Sequence, residues 1–252
     1  MNPFFFGRSE RPLFGAYTQG RPVDGPSRGV LLCYPVGSEY MRAHRAFRQL
    51  NNLLNRAGRH VLRFDYSCTG DSAGSGEEAT VEEWIEDIDW ALDELQDNAM
   101  CEEISVLGLR WGATLAALAC RERDDVEHLV MWDPIVSGRA YLDSVVGPGV
   151  PDRTVGVEGF PFSPALCRGM DAVDLVEDPP VLGGAVVSLL VAEERADYRS
   201  LAESLERAGT KPDFKLVPSP ADWSRADPFG DALIPQEIIQ VAVDMLQTQR
   251  AR

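Results

Sequence analysis

The sequence predicts an α/β fold built on a mostly parallel, doubly wound sheet. Apolar, strand-like runs alternate with amphipathic helical segments along nearly the whole chain of 252 residues. Its hydrophobic content of 44% is enough for a large core. Alternating strands and helices imply a parallel sheet covered on both faces, with ligands at the carboxyl ends of the strands. The loops that follow strands are therefore where function is expected.

The alternation begins near the N-terminus. A short strand is predicted around residues 13–20 (LFGAYTQG), and residues 28–37 (RGVLLCYPVG) form a continuous apolar run typical of a buried strand. A helix is expected over residues 40–57, because apolar side chains recur there at helical spacing and Gly58 is a typical stop signal. The next strand ends near Tyr66 and enters a glycine-rich loop.

The clearest predicted helix is TVEEWIEDIDWALDELQDN, which has one apolar face and a capping pair in Thr80 and Glu83. It is followed by a strand (EISVLGL), a helix (GATLAALACRERDD) and another strand (EHLVMWD). After residues 147–184, two further strand and helix pairs complete the pattern.

Residues 147–184 interrupt the alternation with a segment rich in glycine and proline, in which a single short helix is expected at residues 164–172. A loop of this length inside an α/β domain is usually a lid over the site or an excursion without function. We expect a lid within one domain that spans residues 1–252.

Composition narrows the function classes. A net charge of −16 disfavours binding to nucleic acid or to anionic lipid. The five cysteines show neither a disulfide framework nor metal spacing, and no apolar run is long enough to span a bilayer. These features predict a cytoplasmic protein without membrane insertion, metal or other cofactor, and they leave open whether it forms a homodimer.

The stretch VLGLRWGATLA has the outline of a nucleophile elbow, in which a strand runs through G-x-nucleophile-x-G into a helix. Arg110 stands where the nucleophile belongs. The competing match, GDSAG around Ser72, follows a polar loop and precedes another one, so its context is wrong for an elbow.

Histidines give no support for a conventional triad. The base of an elbow-type hydrolase follows the last strand, yet no histidine follows His128 in this sequence. His60 and His128 open strands and should lie at the far pole of the sheet. His44, on the first long helix, is the remaining candidate base.

The strand order, the FDYSCTGDSAG loop and the elbow-like GLRWGATLA resemble the α/β-hydrolase superfamily in its serine-aminopeptidase-like branch, over nearly the whole chain. More narrowly, YPVGSEYMRAHRAF, GLRWGA, WDPIVSGRAYL and FSPAL are similar to exosortase-system-associated hydrolase-like proteins, found beside bacterial exopolysaccharide and secondary-metabolite genes. In that group arginine at the elbow recurs.

The resemblance implies roles for particular residues. Arg110 takes the nucleophile position, while Val36, Gly37 and the backbone N–H of Trp111 take the oxyanion-hole positions.

The rest of the triad is less well matched. Glu193, Glu194 or Asp197 takes the acid position, and the loop with Asp222 takes the position of the absent histidine. Two of the three triad members are therefore missing.

One hypothesis makes Arg110 an anion-binding residue, since a permanently protonated guanidinium at a helix N-terminus favours carboxylate or phosphate. The protein would then bind, or process without hydrolysis, an anionic small molecule or acyl intermediate in a biosynthetic pathway. The alternative is that Arg110 has a structural role and forms an ion pair with Asp65, Asp71 or Asp133. The protein would then be a scaffold or interaction module.

A second hypothesis keeps ester, thioester or amide hydrolysis, or acyl transfer, through a displaced nucleophile. Cys68, Ser67 and Ser72 lie in the loop after the strand that ends near Tyr66, and His44 is the candidate base. Arg110 is expected to supply the electropositive setting that a thiolate needs.

Neighbouring side chains complete the expected site. Trp111 and Trp132 flank it and would either stack on a ligand or belong to the core. Glu39 is expected to pair with Arg42 or Arg45, at the pocket rim or as a surface ion pair.

Overall fold

An eight-stranded sheet runs through the centre of the computed structural model, which describes residues 1–21, 25–219, 223 and 234–247, without the side chain of Glu122. The strand order is β1-β2-β4-β3-β5-β6-β9-β10. The β1–β2 and β2–β4 pairs are antiparallel and all other pairs in this sheet are parallel. Its strands are β1 (Asn2–Arg8), β2 (Arg11–Thr18), β3 (Arg28–Cys33), β4 (His60–Phe64), β5 (Glu103–Leu109), β6 (Val126–Trp132), β9 (Val186–Val191) and β10 (Asp213–Leu216).

Helices cover both faces of the sheet, as the alternating sequence predicts. They are α1 (Ser38–Arg56), α2 (Val81–Ala99), α3 (Trp111–Ala119), α4 (Gly138–Val145), α5 (Pro164–Asp171), α6 (Ala196–Arg207) and α7 (Gln236–Gln247). No helix in the described ranges is both long and apolar enough to cross a lipid bilayer.

The core has two layers because side chains alternate across the central strands. Val30 and Leu32 of β3 pack with α1 and α7 on one face of the sheet. Leu31 and Cys33 pack with α2 and α3 on the other. All four side chains are at most 1% exposed, which explains the continuous apolar run of this strand.

Most predicted elements form near their expected positions. Helix α1 begins two residues earlier than predicted and stops before Gly58, whose φ is 85°. The Thr80 hydroxyl accepts a hydrogen bond from the Glu83 backbone N–H at 3.2 Å and caps α2. Helix α5 begins at Pro164 as expected, with one residue, Ser163, between it and a short hairpin.

Four strands and helices of the structure are not predicted by the sequence. Strand β1 was missed because Phe4, Phe5 and Phe6 are all apolar, although only Phe6 is buried and Phe5 is exposed. The hairpin of β7 (Val155–Val157) and β8 (Phe160–Phe162) lies inside the segment expected to be irregular, and three-residue strands are too short for a period to be visible. Helix α4 was also missed.

The turn from β5 into α3 requires both of its glycines. A Cβ at Gly108 would lie 2.4 Å from the Gly112 carbonyl oxygen, and a Cβ at Gly112 would lie 2.3 Å from the carbonyl oxygens of Cys33 and Tyr34. All these atoms belong to the backbone, so they cannot move aside cheaply. The elbow outline that the sequence suggested is therefore present as a close backbone contact among β5, α3 and the end of β3.

Substituting either elbow glycine by alanine should lower the free energy of unfolding by about 2–4 kcal/mol, because the added methyl collides with backbone. Gly156→Ala is the matched control, since nothing lies within 4 Å of a Cβ there. Urea denaturation of Gly108→Ala, Gly112→Ala and Gly156→Ala tests this. Equal stability of the three variants would contradict the close contact.

Candidate functional site

Arg110 sits alone between the last residue of β5 and the first residue of α3. Its φ of 55° and ψ of −123° are unusual for a residue with a side chain. The strained conformation is held by hydrogen bonds from its N–H to the Trp132 carbonyl (2.9 Å) and from the Ala113 N–H to its own carbonyl (3.0 Å). The sharp turn from β5 into α3 therefore carries the Arg110 guanidinium.

The Arg110 guanidinium forms a buried ion pair with Glu39 in the first turn of α1. Its Nη2 lies 3.2 Å from Glu39 Oε1, and its Nε lies 3.3 Å from Oε2 and 3.4 Å from Oε1. The two side chains are 15% and 5% exposed. Burial lowers the pKa of Arg110, but the charge of Glu39 and the hydrogen bonds to it outweigh burial and raise it above the usual range. The arginine stays charged and already holds a carboxylate.

The ion pair with Glu39 contradicts the expectation that Arg110 pairs with an aspartate. The partner of Arg110 is Glu39, and neither Asp65, Asp71 nor Asp133 forms an ion pair with it among the described side chains. Asp65 instead accepts hydrogen bonds from the Tyr40 hydroxyl and the Asp71 N–H. The first turn of α1 brings Glu39 over the elbow, which its position in the sequence does not reveal.

The expected pairing of Glu39 with Arg42 or Arg45 is likewise wrong. Arg42 binds Glu158 Oε2 at 2.7 Å and donates to the Trp223 carbonyl at 2.9 Å.

A largely apolar cavity of about 430 Å³ is lined in part by Val36 and Gly37, in the loop between β3 and α1. The loop after β3, the loop after β4, the start of α2 and the β7–β8 hairpin with α5 form its walls. The lining side chains include Val36, Tyr40, Met41, Tyr66, Cys68, Ala79, Trp84, Phe160, Phe162 and Leu166. No single segment of the sequence indicates this cavity, because its walls come from separate parts of the chain.

A smaller, more polar cavity of about 210 Å³ adjoins it. Both cavities are lined by Gly37 and Phe162, and the smaller one also reaches Glu39 and Tyr141. The Phe162 ring lies 3.8 Å from the position of a Cβ at Gly37. The ring therefore stands between the apolar cavity and the buried ion pair.

Solved structures with this architecture are numerous, although no family model and no curated protein matches the sequence. Est1E from Butyrivibrio proteoclasticus with bound ferulic acid gives a TM-score of 0.71 at 15% identity, covering 97% of this chain and 96% of that one. DcsB in complex with its substrate analogue gives 0.72 at 12%, covering 98% of both chains. Mouse alpha/beta hydrolase domain-containing protein 10 gives 0.62 at 19%, covering 98% and 97%.

This chain has the α/β-hydrolase fold. At such identities the likeness establishes the fold, while substrate and activity must be argued from the site. The oxyanion-hole roles that the resemblance implies for Val36, Gly37 and the N–H of Trp111 stay predictions. Gly37 is the N-cap of α1 with φ 62°, and Trp111 opens α3 next to Arg110. The start of α3 packs against the end of β3, since Gly112 lies against the carbonyl oxygens of Cys33 and Tyr34, and the loop with Val36 and Gly37 follows directly from there.

The three carboxylates expected at the acid position of a triad form ion pairs near the surface. Glu193, Glu194 and Asp197 are at least one-third exposed and form ion pairs with Arg195 and Arg199. Besides Glu39, a second buried carboxylate is that of Asp133, directly after β6, whose Oδ1 accepts a hydrogen bond from the Ala192 N–H at 2.8 Å. Asp222, in the loop where a hydrolase carries its histidine, lies outside the described residues.

The two tryptophans belong to the core. Trp111 and Trp132 are both 0% exposed. The Trp111 ring packs edge-on against Tyr141 at 5.7 Å, and the Trp132 ring packs edge-on against Trp223 at 5.6 Å. Because no part of either indole is accessible, the expectation that they stack on a ligand is wrong.

The surroundings of Cys68, Ser67 and Ser72 do not favour a nucleophile. Burial raises the pKa of the Cys68 thiol to about 11, with Glu83 and Glu78 adding to the effect. The expected electropositive influence of Arg110 on this thiol is therefore wrong. Ser67 is 0% exposed, and Ser72 Oγ donates to the Asp65 carbonyl and accepts from the Phe14 N–H.

His44 packs against Tyr34 and Tyr40, with ring centroids 6.3 Å apart in both cases. No hydrogen bond joins it to Cys68, Ser67 or Ser72 in the part of the chain that is described. Burial and the charge of Arg63 lower the pKa of His44. The structure does not assemble these residues into a nucleophile and base.

Removing one side of the buried ion pair should cost more than removing both. Arg110→Met or Glu39→Leu alone leaves a buried charge unpaired and should lower the free energy of unfolding by about 3–5 kcal/mol. The double variant should recover most of the loss, measured as a double-mutant cycle in urea. Additive losses in the double variant would mean that the two charges do not depend on each other.

Asp133 should make stability depend on pH. Burial raises its pKa from 3.8 to about 6, although the Ala192 N–H and Arg110 act in the opposite direction. The folded state therefore holds the proton more tightly than the unfolded chain, so this group's contribution to stability falls as pH rises from about 4 to 6.

Asp133→Asn removes that titration while keeping an acceptor for the Ala192 N–H. The stability of the wild type relative to this variant should decrease by about 1–3 kcal/mol between pH 4 and pH 7, measured by urea denaturation. Other titrating groups, such as Asp87, are common to both proteins and cancel. A difference that is constant with pH would contradict the raised pKa.

Proposed function

We propose that this protein binds an apolar acyl or aromatic-acyl small molecule in the 430 Å³ cavity and does not hydrolyse it. The observation that carries the proposal is the pairing of an open apolar cavity with an elbow whose reactive position is filled by the Arg110–Glu39 ion pair. In this proposal the cavity binds the ligand as in an α/β-hydrolase, while the ion pair occupies the position of the nucleophile.

Hydrolysis by the usual route needs a hydroxyl or thiol, a base that deprotonates it and a group that orients the base. Arg110 supplies none of these, since its guanidinium stays protonated. The raised pKa of Cys68 and the hydrogen bonds of Ser72 also argue against a displaced nucleophile.

The cavity walls favour a largely apolar ligand. Aromatic rings and aliphatic side chains dominate the lining, and its volume suits a molecule of modest size. The similar protein Est1E was solved with ferulic acid, which makes aromatic acyl groups a sensible first class to test. An anion held directly by Arg110 is less favoured, because it would have to displace the carboxylate of Glu39.

The surroundings of the cavity suggest how a ligand is enclosed. Phe160, Pro161, Phe162 and Leu166 belong to the 147–184 segment and form one wall. We propose that this segment is the lid. The resemblance to exosortase-system-associated proteins with arginine at the elbow supports a role in a biosynthetic pathway, with an acyl intermediate as ligand.

Isothermal titration calorimetry with feruloyl and octanoyl thioesters of N-acetylcysteamine tests the proposal. The wild type should bind at least one of them, and chromatography of the same mixtures should show no hydrolysis above the rate in buffer. Phe160→Ala removes an aromatic wall and should weaken binding about 5- to 50-fold. Phe5→Ala is the matched control, since Phe5 is 61% exposed on β1 and does not line the cavity.

Two results would overturn the proposal. Turnover of either thioester by the wild type would show a true hydrolase or acyltransferase, and its loss in Cys68→Ala would identify the nucleophile. Equal behaviour of Phe160→Ala and Phe5→Ala would remove the cavity from the binding site.

A further inference from the structure

The smaller cavity, of about 210 Å³, differs in character from the apolar cavity that it adjoins. Its lining includes Glu39, Arg42 and Tyr141, whereas rings and aliphatic side chains dominate the lining of the larger one. The two cavities meet at Gly37 and Phe162, which line both. The proposed function assigns the larger cavity to the body of a ligand and gives the smaller one no role.

Tyr141, on α4, brings a hydroxyl without a partner to the lining of the smaller cavity. The residue is 7% exposed, and its hydroxyl forms no hydrogen bond with any described residue. The ring is held edge-on against Trp111 at 5.7 Å. Burial raises the pKa of Tyr141, and the charge of Glu39 adds to this effect. The hydroxyl therefore keeps its proton at pH 7 and is a donor in need of an acceptor.

The serine hydroxyls of this cavity are already engaged. Ser38 Oγ accepts a hydrogen bond from Arg42 Nη1 at 3.2 Å, and Ser144 Oγ donates to the Tyr141 backbone carbonyl at 2.6 Å. Among the described side chains that line the cavity, the Tyr141 hydroxyl is therefore the one left to bind a ligand as a donor.

Glu39 offers an acceptor in the same cavity. Its carboxylate is 5% exposed, and its three contacts with Arg110 are 3.2, 3.3 and 3.4 Å long. Hydrogen bonds between a guanidinium and a carboxylate are usually shorter, at about 2.7–2.9 Å. A carboxylate has about four lone-pair sites, so Glu39 can accept a further hydrogen bond while it stays paired with Arg110.

The charges around the cavity balance in pairs. Glu39 is paired with Arg110, and Glu158 is paired with Arg42 at 2.7 Å. An added anion or cation would lie beside these pairs without a counter-charge of its own, so a neutral polar group fits better. A hydroxyl accepts and donates through one oxygen, whereas a ketone only accepts.

We propose that the smaller cavity is a subsite for a hydroxyl on the acyl chain, next to the thioester end. The hydroxyl accepts a hydrogen bond from Tyr141 and donates one to Glu39. This inference rests on the proposed function, since the hydrocarbon tail of the same ligand occupies the 430 Å³ cavity. It narrows the ligand class to hydroxyacyl thioesters and makes Tyr141 a specificity-determining residue.

Calorimetry with N-acetylcysteamine thioesters of octanoic, 2-hydroxyoctanoic and 3-hydroxyoctanoic acid tests the inference. The three ligands share the same tail and differ only near the thioester. The wild type should bind one of the hydroxy thioesters about 2- to 10-fold more tightly than the octanoyl thioester. The ketone that corresponds to the better hydroxy thioester should bind less tightly than the alcohol, because it cannot donate to Glu39.

Tyr141→Phe removes the hydroxyl and keeps the ring that packs against Trp111. This variant should bind octanoyl thioester as the wild type does and should lose the preference for the hydroxy thioester. Tyr17→Phe is the matched control and should retain the preference. Tyr17 lies on β2, contacts His60 through its hydroxyl and lines neither cavity.

The outcomes separate this inference from the proposal on which it rests. Equal affinity of the wild type for all three thioesters, or a preference that persists in Tyr141→Phe, would overturn the hydroxyl subsite. Binding in the apolar cavity would still stand if Phe160→Ala weakens binding of the octanoyl thioester. Absence of binding by every thioester would overturn both.

Discussion

The ion pair between Arg110 and Glu39 determines what the rest of this site can do. It joins the elbow to the first turn of α1, so it fixes the loop that carries Val36 and Gly37. Both charges are largely removed from water, and each stabilises the other. A substrate carbonyl approaching the elbow would meet a filled space where a hydrolase presents its nucleophile.

The backbone conformation of the elbow does not depend on which side chain the elbow carries. The collisions that a Cβ would make at Gly108 and Gly112 come from packing between β5, α3 and the end of β3. This close packing requires the same sharp turn whatever residue stands at position 110. The turn thus places Arg110 with a φ of 55°, and the side chain is aimed at the space where Glu39 lies. The packing of β5, α3 and β3 therefore determines where the Arg110 side chain begins, and Glu39 determines where it ends.

The sequence predicts the parts of the molecule that depend on local pattern. Helix α2 has a period and a cap, strand β3 has a buried run, and the elbow has two glycines at fixed spacing. Which residue pairs with Arg110 depends on how α1 packs over the sheet. The spacing of residues within one segment does not reveal this packing. The cavity was hidden for the same reason, because four separate chain segments form its walls.

An ion pair at the elbow needs an explanation beyond stability. Replacing a buried pair by apolar side chains of similar volume is often neutral or stabilising, so a hydrophobic plug would close the reactive position at least as well. Charges with directed hydrogen bonds, however, hold Glu39 and the start of α1 in one orientation. Gly37 and Phe162, which line both cavities, lie against that same turn. Directed hydrogen bonds between Arg110 and Glu39 therefore help to keep the shape of the wall that the two cavities share, which an apolar plug would not do.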